Sequence, residues 1–141
     1  MDLSQLPSPF YRVTTRAIIL TPDGKLVLVE DHNHEFQLPG GGWEHSESFE
    51  DCVRREVQEE LSVEVESIGP VLFTYRQLDR RGFVSLRLAA KVVPKSYDFK
   101  AGDDMIGVRT VTQAEFRSME LCPGEGPIQQ CSEQIWGATA V

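Results

Sequence analysis

The chain has 141 residues, 40% of them apolar and 26% charged, which fits one globular domain with a core of its own and is too short for two ordinary ones. A net charge of −8 argues against broad electrostatic binding of nucleic acid, and with no long apolar run the sequence predicts no membrane-spanning helix. Cys52, Cys122 and Cys131 are an odd number without metal-type spacing, and MDLSQLPSPF has neither the basic nor the apolar stretch of a secretory signal, so a reduced, cytoplasmic protein is expected.

After that Pro-containing lead, Arg12 to Leu20 reads as a strand, Thr21-Pro22-Asp23-Gly24 as a turn and Lys25 to Glu30 as a second strand, which together predict a hairpin. The two-residue period of a strand puts Arg12, Thr14 and Arg16 on one face and Val13, Thr15 and Ala17 on the other. Asp31-His32-Asn33-His34 reads as a solvated loop, since nothing nearby completes a transition-metal ligand set. Phe36-Gln37-Leu38 reads as a short strand delivering Pro39 and Gly40-Gly41-Gly42. Glycines there suit either a tight turn or close approach of backbone to a ligand.

Ser48 with Asp51 three residues on forms a capping box, and Phe49, Val53, Val57 and Leu61 recur every four residues, so a helix is predicted over 48–61. At roughly 100° per residue, Glu56, Glu59 and Glu60 fall within an arc of about 100° that borders the stripe of Val53, Val57 and Leu61. Like charges about 5 Å apart repel by around 3 kcal/mol at an effective dielectric of about 20. A hard divalent cation such as Mg²⁺ relieves that repulsion; a solvated acidic face is the alternative.

From Leu38 to Val63 the chain reads LPGGGWEHSESFEDCVRREVQEELSV. Gly41, Glu47, Arg55-Glu56-Val57, Glu59-Glu60 and Val63 stand at the spacings of the Nudix box, which this stretch resembles, the signature of hydrolases that cleave nucleoside diphosphates linked to another moiety. Ser62 departs from the pattern, for the family usually has Gly there, just past the helix end, where the left-handed conformation is common. A serine in that place costs about 1 kcal/mol or ends the helix differently. His45 sits at a position the pattern leaves free and is given no role.

Beyond the box, a strand is predicted within Val63 to Tyr75, interrupted near Gly69-Pro70, and another within Phe83 to Val93. Gln77 to Gly82 between them reads as an exposed loop, in which Arg80 and Arg81, with Arg76 beside it, are either solvated or suited to phosphate. Pro94 to Asp104 reads as irregular, Ile106 to Val111 as a strand, and a short helix follows Thr112, with Glu115 completing a capping box. Gly126-Pro127 starts a last helix with Ile128, Cys131 and Ile135 on one face, against which Trp136 packs. Helices set among several strands give a layered α and β domain.

The resemblance implies more than the periodicities do. It implies the Nudix fold, an α+β single domain over 1–141 with a mixed sheet sandwiched between helices, and Mg²⁺ or Mn²⁺ held by Glu56, Glu59, Glu60 and the Gly41 carbonyl. Glu47 and Arg55 are expected to pair and to orient a neighbouring glutamate, so the catalytic set is Glu47, Arg55, Glu56 and Glu59. Glu59 is the candidate general base, with Asp103 or Asp104 as alternatives, and Glu44 is a candidate for contact with metal or substrate. Arg16, Tyr75, Arg76 and Arg87 are candidate phosphate or base contacts, each with a purely structural alternative. The implied activity is a metal-dependent pyrophosphohydrolase cleaving the diphosphate linkage of a nucleoside diphosphate derivative or nucleoside triphosphate, a small-molecule nucleotide being its partner. Removal of diphosphate from an RNA 5′ end is an alternative that the acidic balance disfavours. A non-catalytic nucleotide-binding regulatory module is another, disfavoured because every box carboxylate is present. Substrate, number of metal ions and oligomeric state, a homodimer included, stay open.

Overall fold

The structure is a computed structural model that describes residues 5, 10–78, 82–102 and 104–137. Two sheets organise it. In the first, a mixed sheet, β1 (Arg12–Ile18) pairs parallel with β6 (Val84–Pro94) and antiparallel with β4 (Gly40–Gly42), while β5 (Val65–Leu78) pairs antiparallel with the far side of β6. In the second, β2 (Leu26–Asp31) lies antiparallel between β3 (Phe36–Gln37) and β7 (Met105–Val111).

The expected hairpin survives only as its turn. Thr21 N–H donates to the Lys25 carbonyl at 2.8 Å and Leu20 bridges to Leu26, after which β1 and β2 part into different sheets. Burial explains the divergence. Residues 14–18 of β1 and 26–29 of β2 are buried without interruption, so each strand is covered on both faces and needs neighbours on both sides of its own. The expected break near Gly69-Pro70 is absent, and β5 instead runs on through register shifts against β6 on either side of those residues. As the edge strand of its sheet, β5 tolerates a proline that has no N–H to give. Gln77 and Leu78 consequently belong to the strand, not to the loop.

Helix α1 (Phe49–Leu61) forms as the pattern predicts, with Ser48 as N-cap and both halves of the capping box to Asp51 made. Its buried Val53, Val57 and Leu61 pack on Ala17, Ile19, Val27 and Val29. Ser62 takes the left-handed conformation, φ 60°, as the family glycine would. Its N–H donates to the Gln58 carbonyl and its hydroxyl to the Lys100 carbonyl at 3.0 Å. Lys100 and Gly102 N–H groups in turn satisfy the Leu61 and Glu60 carbonyls, so segment 100–102 closes the helix end.

On the opposite side, α2 (Gln113–Ser118), a 3-10 helix (Gly126–Cys131) and α3 (Ser132–Trp136) bring Phe116, Ile128 and Ile135 onto Ile18, Leu26, Leu28 and Ala89. The expected last helix is thus 3-10 in its first half. Trp136 packs against Phe116, ring centroids 5.7 Å apart, and donates to the Gly24 carbonyl. Two sheets between α1 and the C-terminal helices make the expected α+β sandwich. None of the described helices is long and apolar enough to cross a membrane.

Candidate active site

The site forms where edge strand β4 meets the acidic face of α1. Each glycine of β4 has a different reason to be there. Gly40 has φ +146°, and a Cβ on it would drive into the Thr15 carbonyl. Its N–H donates to Glu60 Oε2 at 2.9 Å. A Cβ on Gly41 would lie 2.5 Å from Glu56 Cδ, so the missing side chain is the space the Glu56 carboxylate fills. Around Gly42 there is open room.

Arg55 ties the acids together. Its Nε and Nη2 donate to Glu47 Oε2 and Oε1 at 2.7 and 2.9 Å, a two-pronged pair, and Nη2 also reaches the Gly42 carbonyl at 3.0 Å. Nη1 donates to Glu56 Oε1 at 2.8 Å and lies 3.4 Å from Glu59 Oε2. Glu47 is held for this by a short turn: the Glu44 N–H donates to Glu47 Oε1, and the Trp43 indole N–H donates to the Glu47 carbonyl at 2.9 Å. Glu44 itself is exposed and only 3.9 Å from Arg55 Nη2. Beneath the loop, Cys52 is buried, with Sγ 3.3 Å from Thr15 Oγ1 and 3.5 Å from the Gly42 carbonyl.

These contacts set the charges. The hydrogen bonds from Arg55 hold the Glu47 carboxyl down at about 2 and raise the guanidinium above its ordinary value. Burial pushes Glu56 up, against the pull of Arg55. Burial pushes Glu60 further, up to about 7, against the opposing Arg16 charge and the Gly40 N–H. Glu60 is only 7% exposed, and the sequence pattern did not foresee an acid so deep. A carboxylate buried beside two others, with less cationic charge than it needs, is a donor set that hard divalent cations favour. Among the described residues no three acidic, His or Cys side chains converge tightly enough to hold a metal as they stand. Arg55 takes one oxygen of each carboxylate, Glu56 Oε1 and Glu59 Oε2, so the residues would fit a metal with the guanidinium still in place.

The other expected residues divide. Arg16 (5% exposed), Arg87 and Tyr75 do come together on the face of β1, β6 and β5 that looks toward the C-terminal helices. Arg16 Nη1 donates to the Leu38 and Gly40 carbonyls and so tethers the glycine strand. Arg87 forms a buried ion pair with Glu125, whose other oxygen accepts the Tyr75 hydroxyl at 2.8 Å. Burial and the neighbouring Arg16 charge lower the Arg87 pKa, while burial and Glu125 raise that of Tyr75. Thr14 Oγ1, Arg16 Nε and Arg87 Nε are buried without a hydrogen-bond partner among the described residues. Arg76 is exposed and one residue out of step with Tyr75, so it faces the other way. Asp104 is exposed two residues beyond Gly102, near the C-terminal end of α1, whereas Asp103, Arg80 and Arg81 lie outside the described residues. Glu125 was not anticipated, for nothing in Gly124-Glu125-Gly126-Pro127 shows that its acid lies under the sheet.

The NUDIX domain family model matches residues 10–127. The chain belongs to the Nudix family. Solved structures agree on the fold. A MutT protein from Methanosarcina mazei Go1 superposes with a TM-score of 0.79 at 19% identity, over 92% of this chain and 96% of its own. A Nudix hydrolase from Nitrosomonas europaea gives 0.74 at 23%, over 89% and 88%. The Nudix domain of Shewanella oneidensis NrtR, in complex with ADP ribose, gives 0.73 at 20%, over 95% and 92%. A comparison with curated proteins finds no match. As a Nudix domain, the chain carries its box as one connected unit: loop, arginine hub and helical acids are joined by the hydrogen bonds described above.

Proposed function

We propose that the protein is a Mg²⁺- or Mn²⁺-dependent pyrophosphohydrolase that cleaves the diphosphate linkage of a small nucleotide, with Glu56, Glu59, Glu60 and the Gly41 carbonyl as the residues that would hold the metal. The observation that carries this reading is the buried Glu60 beside Glu56, both pushed toward protonation by burial, with Arg55 as the shared cation between Glu56 and Glu59. When bound, the metal would neutralise diphosphate charge and lower the pKa of a coordinated water. Arg55, fixed by Glu47 and the Gly42 carbonyl, positions Glu56 and Glu59. Glu59, the most exposed of the three acids, is the proposed general base, with Asp103 and Asp104 as alternatives. Arg16, which tethers the glycine strand, and Arg87, held by Glu125 and Gln77, are buried and are read as structural, as is Tyr75. Exposed Glu44 lies at the rim of the site, and Arg76, directed away, is not proposed to touch substrate.

The test is hydrolysis of nucleoside triphosphates, nucleotide sugars, ADP-ribose, NADH, dinucleoside polyphosphates and 5′-triphosphate RNA by the purified protein with Mg²⁺, Mn²⁺ or EDTA. The reading expects cleavage of one class that needs metal and is abolished in Glu60→Gln. Turnover undiminished in EDTA, or in Glu60→Gln, would overturn it.

A further inference from the structure

Four of the nine large apolar side chains exposed among the described residues, Phe10, Tyr11, Val13 and Trp43, gather around one cavity of about 540 Å³, at 37–43% exposure each. Gathered aromatics at a concave surface mark a binding site far more strongly than scattered ones, and the volume is in the range of small-ligand pockets. The cavity opens at the ends of β1 and β4, and Gly42, Glu44 and Glu47 form part of its wall, so it adjoins the Glu47–Arg55–Glu56 network.

Trp43 is the fixed plate of this cavity. Its indole N–H is tied to the Glu47 carbonyl, and its ring stands edge-on to Phe49 with centroids 5.7 Å apart. An aromatic ring with both its edge and its orientation secured loses little freedom when another ring stacks on it. Arg12 adds a cation to the wall, and among the described residues its side chain makes no ion pair or hydrogen bond. Flat apolar faces, the Arg12 guanidinium and the exposed Glu44 carboxylate together suit a planar, polar-edged ring better than a hydrocarbon chain.

We propose that this cavity binds the planar heteroaromatic ring of the nucleotide substrate, stacked on Trp43 with Phe10 and Tyr11 against it. The location relative to the diphosphate rests on the function proposed above; the capacity to bind the ring does not.

The chain has two tryptophans, so in a Trp136→Phe background Trp43 alone fluoresces, and binding can be read without metal or catalysis. Adenosine, guanosine and ribose 5-phosphate are titrated in EDTA. Saturable quenching by the nucleosides and none by ribose 5-phosphate is expected. Stacking is worth about 1–3 kcal/mol per base, so Tyr11→Ala should weaken nucleoside binding by roughly tenfold or more. Thermal melts identify any variant that has failed to fold, and Phe10→Ala provides a second removal of the aromatic wall. Absence of quenching by either nucleoside overturns the proposal, as does quenching that both wall variants leave unchanged. Trp43 emission that depends on protein concentration alone, with a dimer by light scattering, would also overturn it, since a second copy of the chain would then cover the cavity. Hydrolysis that fails while quenching succeeds refutes the proposed activity and leaves the ring site standing.

Discussion

Three adjacent glycines give three different expected outcomes on replacement by alanine, and the decisive one is Gly41→Ala. Its backbone is in a region alanine adopts, so the fold has no reason to resist, and the loss of unfolded-chain freedom even adds about 0.4–1 kcal/mol of stability. The new Cβ, however, would stand 2.5 Å from Glu56 Cδ and 2.7 Å from Oε2, where ordinary contact begins at 3.4 Å. The carboxylate must therefore withdraw by about 1 Å, off its 2.8 Å bond to Arg55, and a displacement of that size at a reacting centre lowers the rate about 100-fold. Gly42→Ala meets nothing within 4 Å and should match wild type in kcat and in Tm, any change falling on KM through the cavity whose wall it forms. Gly40→Ala combines a φ of +146° with a Cβ 2.9 Å from Arg16 Cα, and should lose stability before activity can be judged. The measurements are kcat on the cleaved substrate and Tm by circular dichroism for all three. A folded Gly41→Ala within about threefold of wild type would refute the reasoning, because the claim is that 1 Å at Glu56 decides the rate. Gly42→Ala falling as far as Gly41→Ala would refute it too.

Arg55→Ala frees Glu47 and Glu56 at a half-buried site, so it should lower kcat/KM by about 10–100-fold while changing Tm by only a few degrees; a collapse in Tm with the rate intact in the folded fraction would make the pair merely structural. Glu125→Ala leaves Arg87 buried and unpaired, a loss of about 3–5 kcal/mol that urea unfolding should show, and Glu125→Gln, which keeps an acceptor for the Tyr75 hydroxyl, should lose less. Burial and the adjacent Asp31 push the Cys122 thiol up to about 12 from 9.0, so the folded chain keeps a proton that the unfolded chain releases above pH 9. Its stabilising contribution is therefore complete below pH 9 and lost as the pH climbs toward 12. The wild-type Tm should fall over pH 9–11 and that of Cys122→Ala should fall less steeply; parallel curves would disprove it.

Much of the chemistry was legible in the chain because it is local. Within α1 the spacing of Glu56, Glu59 and Glu60 fixes their angular positions whatever the helix packs against, and Ser48 and Asp51 close a cap with each other alone. The pairing of Glu47 with Arg55 spans only eight residues and followed from the family resemblance of the box. Ser62 kept the turn that glycine makes elsewhere, because its hydroxyl found the Lys100 carbonyl, a partner 38 residues away that no local pattern contains.

Tertiary structure decided the rest. The segment 12–30 reads as a hairpin, yet residues 14–18 and 26–29 are buried on both faces, and strands covered twice separate into different sheets. Pro70 reads as a break, yet on an edge strand its missing N–H breaks no ladder bond inside the sheet. The depth of Glu60, and hence its raised pKa, depends on where β4 lays Gly40 against it. Glu125 finds Arg87 and Tyr75 only because the C-terminal segment crosses under the first sheet. By itself the sequence determined which groups are acidic, which are basic and how they are spaced along one helix, since backbone geometry fixes those distances. Which of those groups lost their water was decided by the packing of elements distant in the chain, and the loss of water is what turns a row of glutamates into a site with shifted charges.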